Sequence, residues 1–165
     1  MITDTPEEMG PVIVGILPRQ LLEGLNRNLS EGVKRECLDI LTDLLKRFGA
    51  LCSKQHNDIL TTVLKQLQDK KPAVQKRAST CLVAFSVVCS DSLFDTLVET
   101  ILSRVDSSKE DVPSLIQTIG IISRTVGYRM GRYLNRLVPM FIRFCGSSSV
   151  EDYDEDEDQK LNELR

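Results

Sequence analysis

A ninefold apolar pattern returns four times along these 165 residues at a spacing of about forty, which leaves few architectures open. Its first, second, fifth, sixth and ninth positions are mostly apolar. It reads LPRQLLEGL at Leu17–Leu25, ILTTVLKQL at Ile59–Leu67, LVETILSRV at Leu97–Val105 and LVPMFIRFC at Leu137–Cys145. Those offsets fall on one side of a helix with 3.6 residues per turn and match no strand alternation.

A second stripe alternates with the first. Val33, Cys37, Ile40, Leu41, Leu44, Leu45 and Phe48 define it. Its next copy is Val74, Ala78, Cys81, Leu82, Phe85, Ser86 and Cys89, and a weaker third is Leu115, Ile119, Ile122, Ser123, Val126, Gly127 and Met130. The punctuation between stripes is helical too. Ser30 suits an N-cap, Gly49 a C-terminal stop, and Pro72 a first helical turn. Ser92 and Asp95 have the spacing of a capping box, and Ser107, Ser108 and Lys109 form a polar turn before Asp111. Helices are predicted over 11–26, 31–48, 54–68, 72–89, 92–105, 111–129 and 132–145.

The fold class that follows is all-α, a HEAT/armadillo-like α-solenoid over 1–145. One leading helix precedes three antiparallel helix pairs, near 31–68, 72–105 and 111–145. Pairs of about forty residues fit HEAT repeats and exceed the roughly 34 of tetratricopeptide repeats. A lone pair cannot bury both apolar faces, whereas stacked pairs bury each other's. A compact seven-helix bundle is the competing arrangement. Residues 146–158 read as an acidic inter-repeat loop and 159–165 as the start of a further, truncated helix. A fragment of a longer superhelix is therefore expected.

Composition supports a core of small aliphatics, since aromatics make up 5% and tryptophan is absent. The segment EDYDEDED at 151–158 carries seven carboxylates; without those seven negative charges the formal net of −3 becomes +4 for the rest. Such a mild, interleaved positive charge is far from the cationic stripe that nucleic acid requires, so no nucleic-acid partner is expected. The five cysteines, Cys37, Cys52, Cys81, Cys89 and Cys145, form no CxxC or CxxH spacing. All but Cys52 fall on apolar helix positions, as free thiols do in a reducing compartment. A cytoplasmic and nuclear location is the expectation. The N-terminal MITDTPEEMG is acidic and polar, unlike a secretory leader, and no apolar run is long enough to span a bilayer. No membrane partner is expected.

Catalytic chemistry needs converging groups of tuned acidity. His56 is the single histidine, expected in a capping or solvent-facing role at a helix start. With Cys52 it makes at most half of a metal site, since a closed zinc site takes four ligands. Gly120, Gly127 and Gly131 lack the setting of a phosphate loop, and the acidic run lacks the turn glycine of a calcium loop. No catalytic, cofactor-binding or metal residues are assigned, no cofactor or small-molecule substrate is expected, and the chain reads as a non-enzyme.

A binding surface is the remaining option. Positions expected to face solvent on the second helices of the pairs include Lys65, Gln66, Ser103, Arg104, Arg136 and Arg143. Around the last turn, Tyr128, Arg129, Arg132 and Tyr133 mix aromatics with guanidinium groups, a composition common in binding hot spots.

The segments ECLDILTDLLKRFGAL (36–51), VQKRAS (74–79) and IQTIGIISRTVGYRMGRYLNRLVPMFIRFC (116–145) resemble the cullin-associated and neddylation-dissociated proteins. The resemblance runs from about Glu36 to the C-terminus, includes the acidic insert and LNELR, and matches early, N-terminal repeats. It weakens over the first thirty residues. It implies a HEAT scaffold that binds unneddylated cullin–RING complexes and opposes neddylation. It also implies a role in exchanging the adaptor–receptor modules of SCF-type ubiquitin ligases. The family's N-terminal repeats lie near the cullin's C-terminal region and the RING subunit. Its C-terminal repeats contest the adaptor site and are not part of these residues. Other functions share the architecture: a nuclear-transport or phosphatase scaffold, or a helical segment of a large lipid-kinase-like protein kinase.

Overall fold

The computed structural model describes residues 10, 12–27, 29–107 and 112–146, and no strand occurs among the described residues. The chain divides into two compact units, Met1–Val126 and Gly127–Arg165. The turn containing Ser108, Lys109 and Asp111, the acidic segment from 147 to 158, and the helix start predicted at 159–165 lie outside the described residues.

In the first unit a π-type turn, Val12–Ile16, leads into α1, Leu17–Asn26. The predicted helix from residue 11 thus becomes regular only at Leu17. Pro18 sits in its first turn, where a missing N–H is harmless, while the same proline further inside a helix would break the ladder. Next come α2 at Glu31–Phe48, a 3-10 turn at Ser53–Gln55, α3 at His56–Gln66, α4 at Pro72–Val88, α5 at Asp91–Ser107 and α6 at Val112–Thr125.

These helices form two layers. Helices α2, α4 and α6 lie side by side in one, and α1, α3 and α5 in the other. The layers meet where α1 packs on α2, α3 on α4 and α5 on α6. This is the stacking of an α-solenoid, in which each helix is covered by those of adjacent repeats.

Burial follows the layers. Val74, Ala78, Cys81, Leu82, Phe85, Ser86 and Cys89 are all buried, as their stripe predicts. On α2 the buried arc is Leu38, Leu41, Leu44 and Leu45, while Val33, Ile40 and Phe48 are partly exposed. The arc is rotated because α2 is held between α1 and α4, and the sequence period does not specify that direction. Each fully buried leucine or phenylalanine contributes roughly 1.5–3 kcal/mol.

Small polar side chains stitch the α2–α4–α6 layer. Thr42 Oγ1 donates to the Leu38 carbonyl at 2.7 Å, and the Thr42 side chain also hydrogen-bonds Cys81. Burial pushes the Cys81 thiol up to about 12; the Thr42 bond opposes this and the Asp39 charge adds to it. Thr118 Oγ1 gives its proton to the Ser114 carbonyl at 2.8 Å, so Ser79 is the donor in the 2.7 Å bond between Ser79 and Thr118. Short side chains at these positions let neighbouring helices approach with every hydroxyl satisfied.

The two connections that leave the α2–α4–α6 layer for the other differ. From α2 to α3 the chain takes residues 49–55, and His56 at the start of α3 is only 3% exposed. Its Nε2 sits 2.7 Å from the Gly49 carbonyl oxygen, and its ring meets Phe85 edge-on at 5.2 Å between centroids. His56 is a core residue, which corrects the expected capping or solvent-facing role. Gly49 is helical, with φ −53° and ψ −44°, so it is no left-handed stop. A β-carbon there would meet the Leu45 carbonyl oxygen and lie 2.7 Å from a Val88 methyl; the close approach demands glycine. From α4 to α5 only Cys89 and Ser90 intervene. Ser90 Oγ accepts from the Leu93 N–H at 3.4 Å, so Ser90 is the cap and the box expected at Ser92 and Asp95 lies inside the helix.

In the second unit, 3-10 turns occupy Gly127–Arg129 and Gly131–Tyr133, and α7 runs over 134–146. The predicted helices 111–129 and 132–145 are thus interrupted. Gly127 and Gly131 supply the break, since glycine weakens a helix by about 1 kcal/mol. Leu137 and Met140 are buried, whereas Leu134, Val138 and Ile142 are 52%, 50% and 67% exposed. Cys145 is exposed and Cys37 half-buried, while Cys52, Cys81 and Cys89 are buried. The apolar position expected for Cys145 is therefore on the surface.

Candidate partner-binding surface

In the first unit, the residues singled out by sequence lie on α3 and α5, helices of the same layer. Lys65 and Ser103 are exposed, as expected. Arg104 is half-buried, and its Nη1 donates to the Leu64 carbonyl at 2.7 Å. It ties α5 to the last turn of α3. Gln66 is buried at 7% exposure, which corrects its placement among solvent-facing positions. Helical phase alone put it on the outer face; α1 covers it instead, and its Nε2 donates to the Leu25 carbonyl at 3.3 Å.

Around these residues the surface is polar and well fixed. Lys34 on α2 reaches Asp69 in the turn after α3 at 2.6 Å, with both side chains largely buried. Burial pushes the Asp69 carboxyl up, but the Lys34 hydrogen bond, the Lys71 N–H at 2.9 Å and the charges of both lysines outweigh it and hold the group below its usual range. Asn26 Nδ2 on α1 is 3.5 Å from Thr62 Oγ1 on α3. These contacts lock the turn after α3 to α2, and α1 to α3. Sequence reasoning missed Lys34 and Asp69; they pair across 35 residues, and no local spacing signals it.

In the second unit, Tyr128 is 82% exposed and Arg132, Arg136 and Arg143 are exposed, while Arg129 is half-buried. Arg143 lies over the Phe144 ring, its guanidinium carbon 4.9 Å from the centroid, within the range of a cation–π contact. Tyr133 is buried, contrary to its expected place on the surface. It closes the 3-10 turn that begins at Gly131, and the tighter pitch turns its side chain inward.

Among the described residues no catalytic constellation accompanies these side chains in either unit. Burial raises the Cys52 thiol, so it is the opposite of an activated nucleophile, and His56 is engaged by Gly49. Among the described residues no group of three metal-ligating side chains converges, and no helix is long and apolar enough to cross a membrane. Each unit by itself offers charge and hydrogen-bonding groups, with the exposed Tyr128 ring in the second.

No protein-family profile matches the chain. Individual relatives do. Cullin-associated NEDD8-dissociated protein 1 of Dictyostelium discoideum is 32% identical over 163 residues, 94% of this chain, and its namesake in Arabidopsis thaliana is 34% identical over 148 residues, 87% of the chain. Cullin-associated NEDD8-dissociated protein 2 of Mus musculus is 34% identical over 137 residues, 80% of the chain. The chain belongs to the cullin-associated and NEDD8-dissociated family. It corresponds to the N-terminal part of these proteins and spans 13%, 12% and 11% of the three relatives' lengths. Membership in this HEAT-repeat family agrees with the two-layered helices of the first unit.

Proposed function

We propose that this chain is a binding segment of a cullin-associated HEAT scaffold, acting by contact rather than by catalysis. Its partner is an unneddylated cullin with its RING subunit, and its role is to regulate the assembly and exchange of SCF-type ubiquitin ligases in cytoplasm and nucleus. The observation that carries this reading is identity of 32–34% with cullin-associated relatives over most of the chain. Exposed Tyr128, Arg132, Arg136 and Arg143 support it, because aromatic and guanidinium side chains dominate the energetics of protein interfaces.

The test is capture of a purified cullin–RING pair by the immobilised chain, with the cullin neddylated or not. Retention of the unmodified pair and loss of the neddylated one is expected. Arg132→Glu with Arg136→Glu is expected to weaken retention about tenfold, as for two charge contacts at an interface. Equal retention of both forms, or of neither, sinks the reading.

A further inference from the structure

The second unit is charged in one sign over its first twenty residues. From Gly127 to Gly146 the chain carries Arg129, Arg132, Arg136 and Arg143, and no lysine, aspartate or glutamate. Arg136 and Arg143 are exposed and seven residues apart, so they share one side of α7 at about 10.5 Å along its axis. A helix pairs its own charges at three or four residues' distance. Those places hold Arg132, Tyr133, Pro139, Met140, Gly146 and Ser147, so α7 itself supplies no carboxylate to this row.

Just beyond α7 the sign reverses. Residues 147–150 are uncharged, and 151–158, outside the described residues, hold seven carboxylates. The reach suffices. Arg136 stands ten residues before Gly146, about 15 Å back along the axis, and the five Cα steps from Gly146 to Glu151 extend to about 17 Å. Arg143 is nearer still, about 4.5 Å back from Gly146.

Charge and tether together select the occupant of this row. A free phosphate brings about two negative charges and has to be captured from solution. The acidic run brings seven on the same chain, at an effective concentration of about the millimolar order that a short linker gives. Exposed ion pairs are individually weak, but several on one tether add. We propose that the acidic run at 151–158 pairs with the Arg136–Arg143 row of α7 until a partner displaces it. Anionic groups of a partner reach these arginines only by outcompeting the chain's own carboxylates, so weakly charged contacts are turned away. The cullin reading enters only in naming the partner that displaces the run; the pairing itself is tested with no cullin present.

Phenylglyoxal, an uncharged reagent that adds to guanidinium groups, reads the pairing on the whole chain, with the rate at each arginine followed by mass spectrometry at low ionic strength. In a variant whose seven carboxylates at 151–158 are replaced by their amides, Arg136 and Arg143 are expected to react about fivefold faster than in the parent. Arg47 on α2, exposed and in the first unit, should change less than about twofold. Ten prolines inserted before Glu151 keep every charge but carry the run about 30 Å away, and should quicken Arg136 and Arg143 as neutralisation does. Salt at about 1 M should quicken them in the parent and have little effect in the amide variant. Both variants change only residues beyond α7 and are checked for an unchanged helical signal. The proposal falls if Arg136 and Arg143 react alike in parent and amide variant, since their cover is then another group or none. It falls too if Arg47 quickens as much as they do, or if the proline insertion leaves them protected, because net charge rather than contact is then responsible.

Discussion

The third and fourth copies of the ninefold pattern, Leu97–Val105 and Leu137–Cys145, carry the same apolar positions in different surroundings. In α5, Leu97, Val98, Ile101, Leu102 and Val105 are all buried. In α7, Leu137 is buried, but Val138, Ile142 and Cys145 at the matching places are exposed. Three residues ahead of the pattern the contrast repeats: His56 and Phe94 are buried and Leu134 is half exposed. The pattern dictates a helix and which of its sides is apolar. Covering that side is the work of neighbouring helices, α3 and α6 in the case of α5.

Truncation at the column before the pattern gives the widest separation. Phe94→Ala and His56→Ala are each expected to cost about 3–4 kcal/mol in urea unfolding, through a cavity for the first and an orphaned Gly49 carbonyl plus lost ring contact for the second. Leu134→Ala should stay within about 0.5 kcal/mol. Similar losses at all three would erase the contrast. Within the pattern, Leu102→Ala is expected to cost about 3 kcal/mol and Ile142→Ala less than about 0.5 kcal/mol, read from the same denaturation midpoints. A smaller effect sharpens how tightly the first unit is packed. Gly49→Ala should lose about 2 kcal/mol by forcing Val88 away, and Val88→Ala in the same chain should recover part of that loss.

The Lys34–Asp69 pair adds a pH signature. Its carboxyl is held below its usual range, so the stability it adds is fully present above the ordinary aspartate value of about 3.9 and disappears as pH falls through the depressed one. Asp69→Asn is expected to cost about 1–2 kcal/mol at neutral pH, with the gap to the parent closing in acid. A gap constant down to the acid transition would refute the pairing. The smallest perturbation is chemical labelling. Cys145 should react with a maleimide first and Cys81 only on unfolding, since the latter is buried with a thiol pushed up to about 12. His56→Ala, which loosens the whole unit, should speed labelling of both Cys52 and Cys89, and of Cys52 the more, since Cys52 and His56 share the Gly49 carbonyl.

Much of the fold was legible because helical period and repeat spacing are properties of the chain alone. The helix at 31–48 and the start at Pro72 are where the stripes and caps put them. What escaped depends on contacts between distant residues. Val33 and Ile40 sit at the edge of their stripe because α1 and α4 select a different arc. Gln66 and Tyr133 carry polar labels that suggest solvent, yet helix packing and a 3-10 turn bury them. Of the surface residues, the arginines were readable from composition, while the Lys34–Asp69 clasp was not, because its members are far apart in sequence.

The connection through Cys89 and Ser90 has a mechanical consequence. Three Cα steps separate Val88 from Asp91, a reach of about 10 Å at full stretch, so α4 and α5 share a hinge with almost no slack. A tug on either rod arrives at the other undiminished. The longer path from Phe48 to His56 spreads its span over seven residues, and a residue inserted at its exposed Lys54 is expected to be absorbed more readily than one inserted at Ser90.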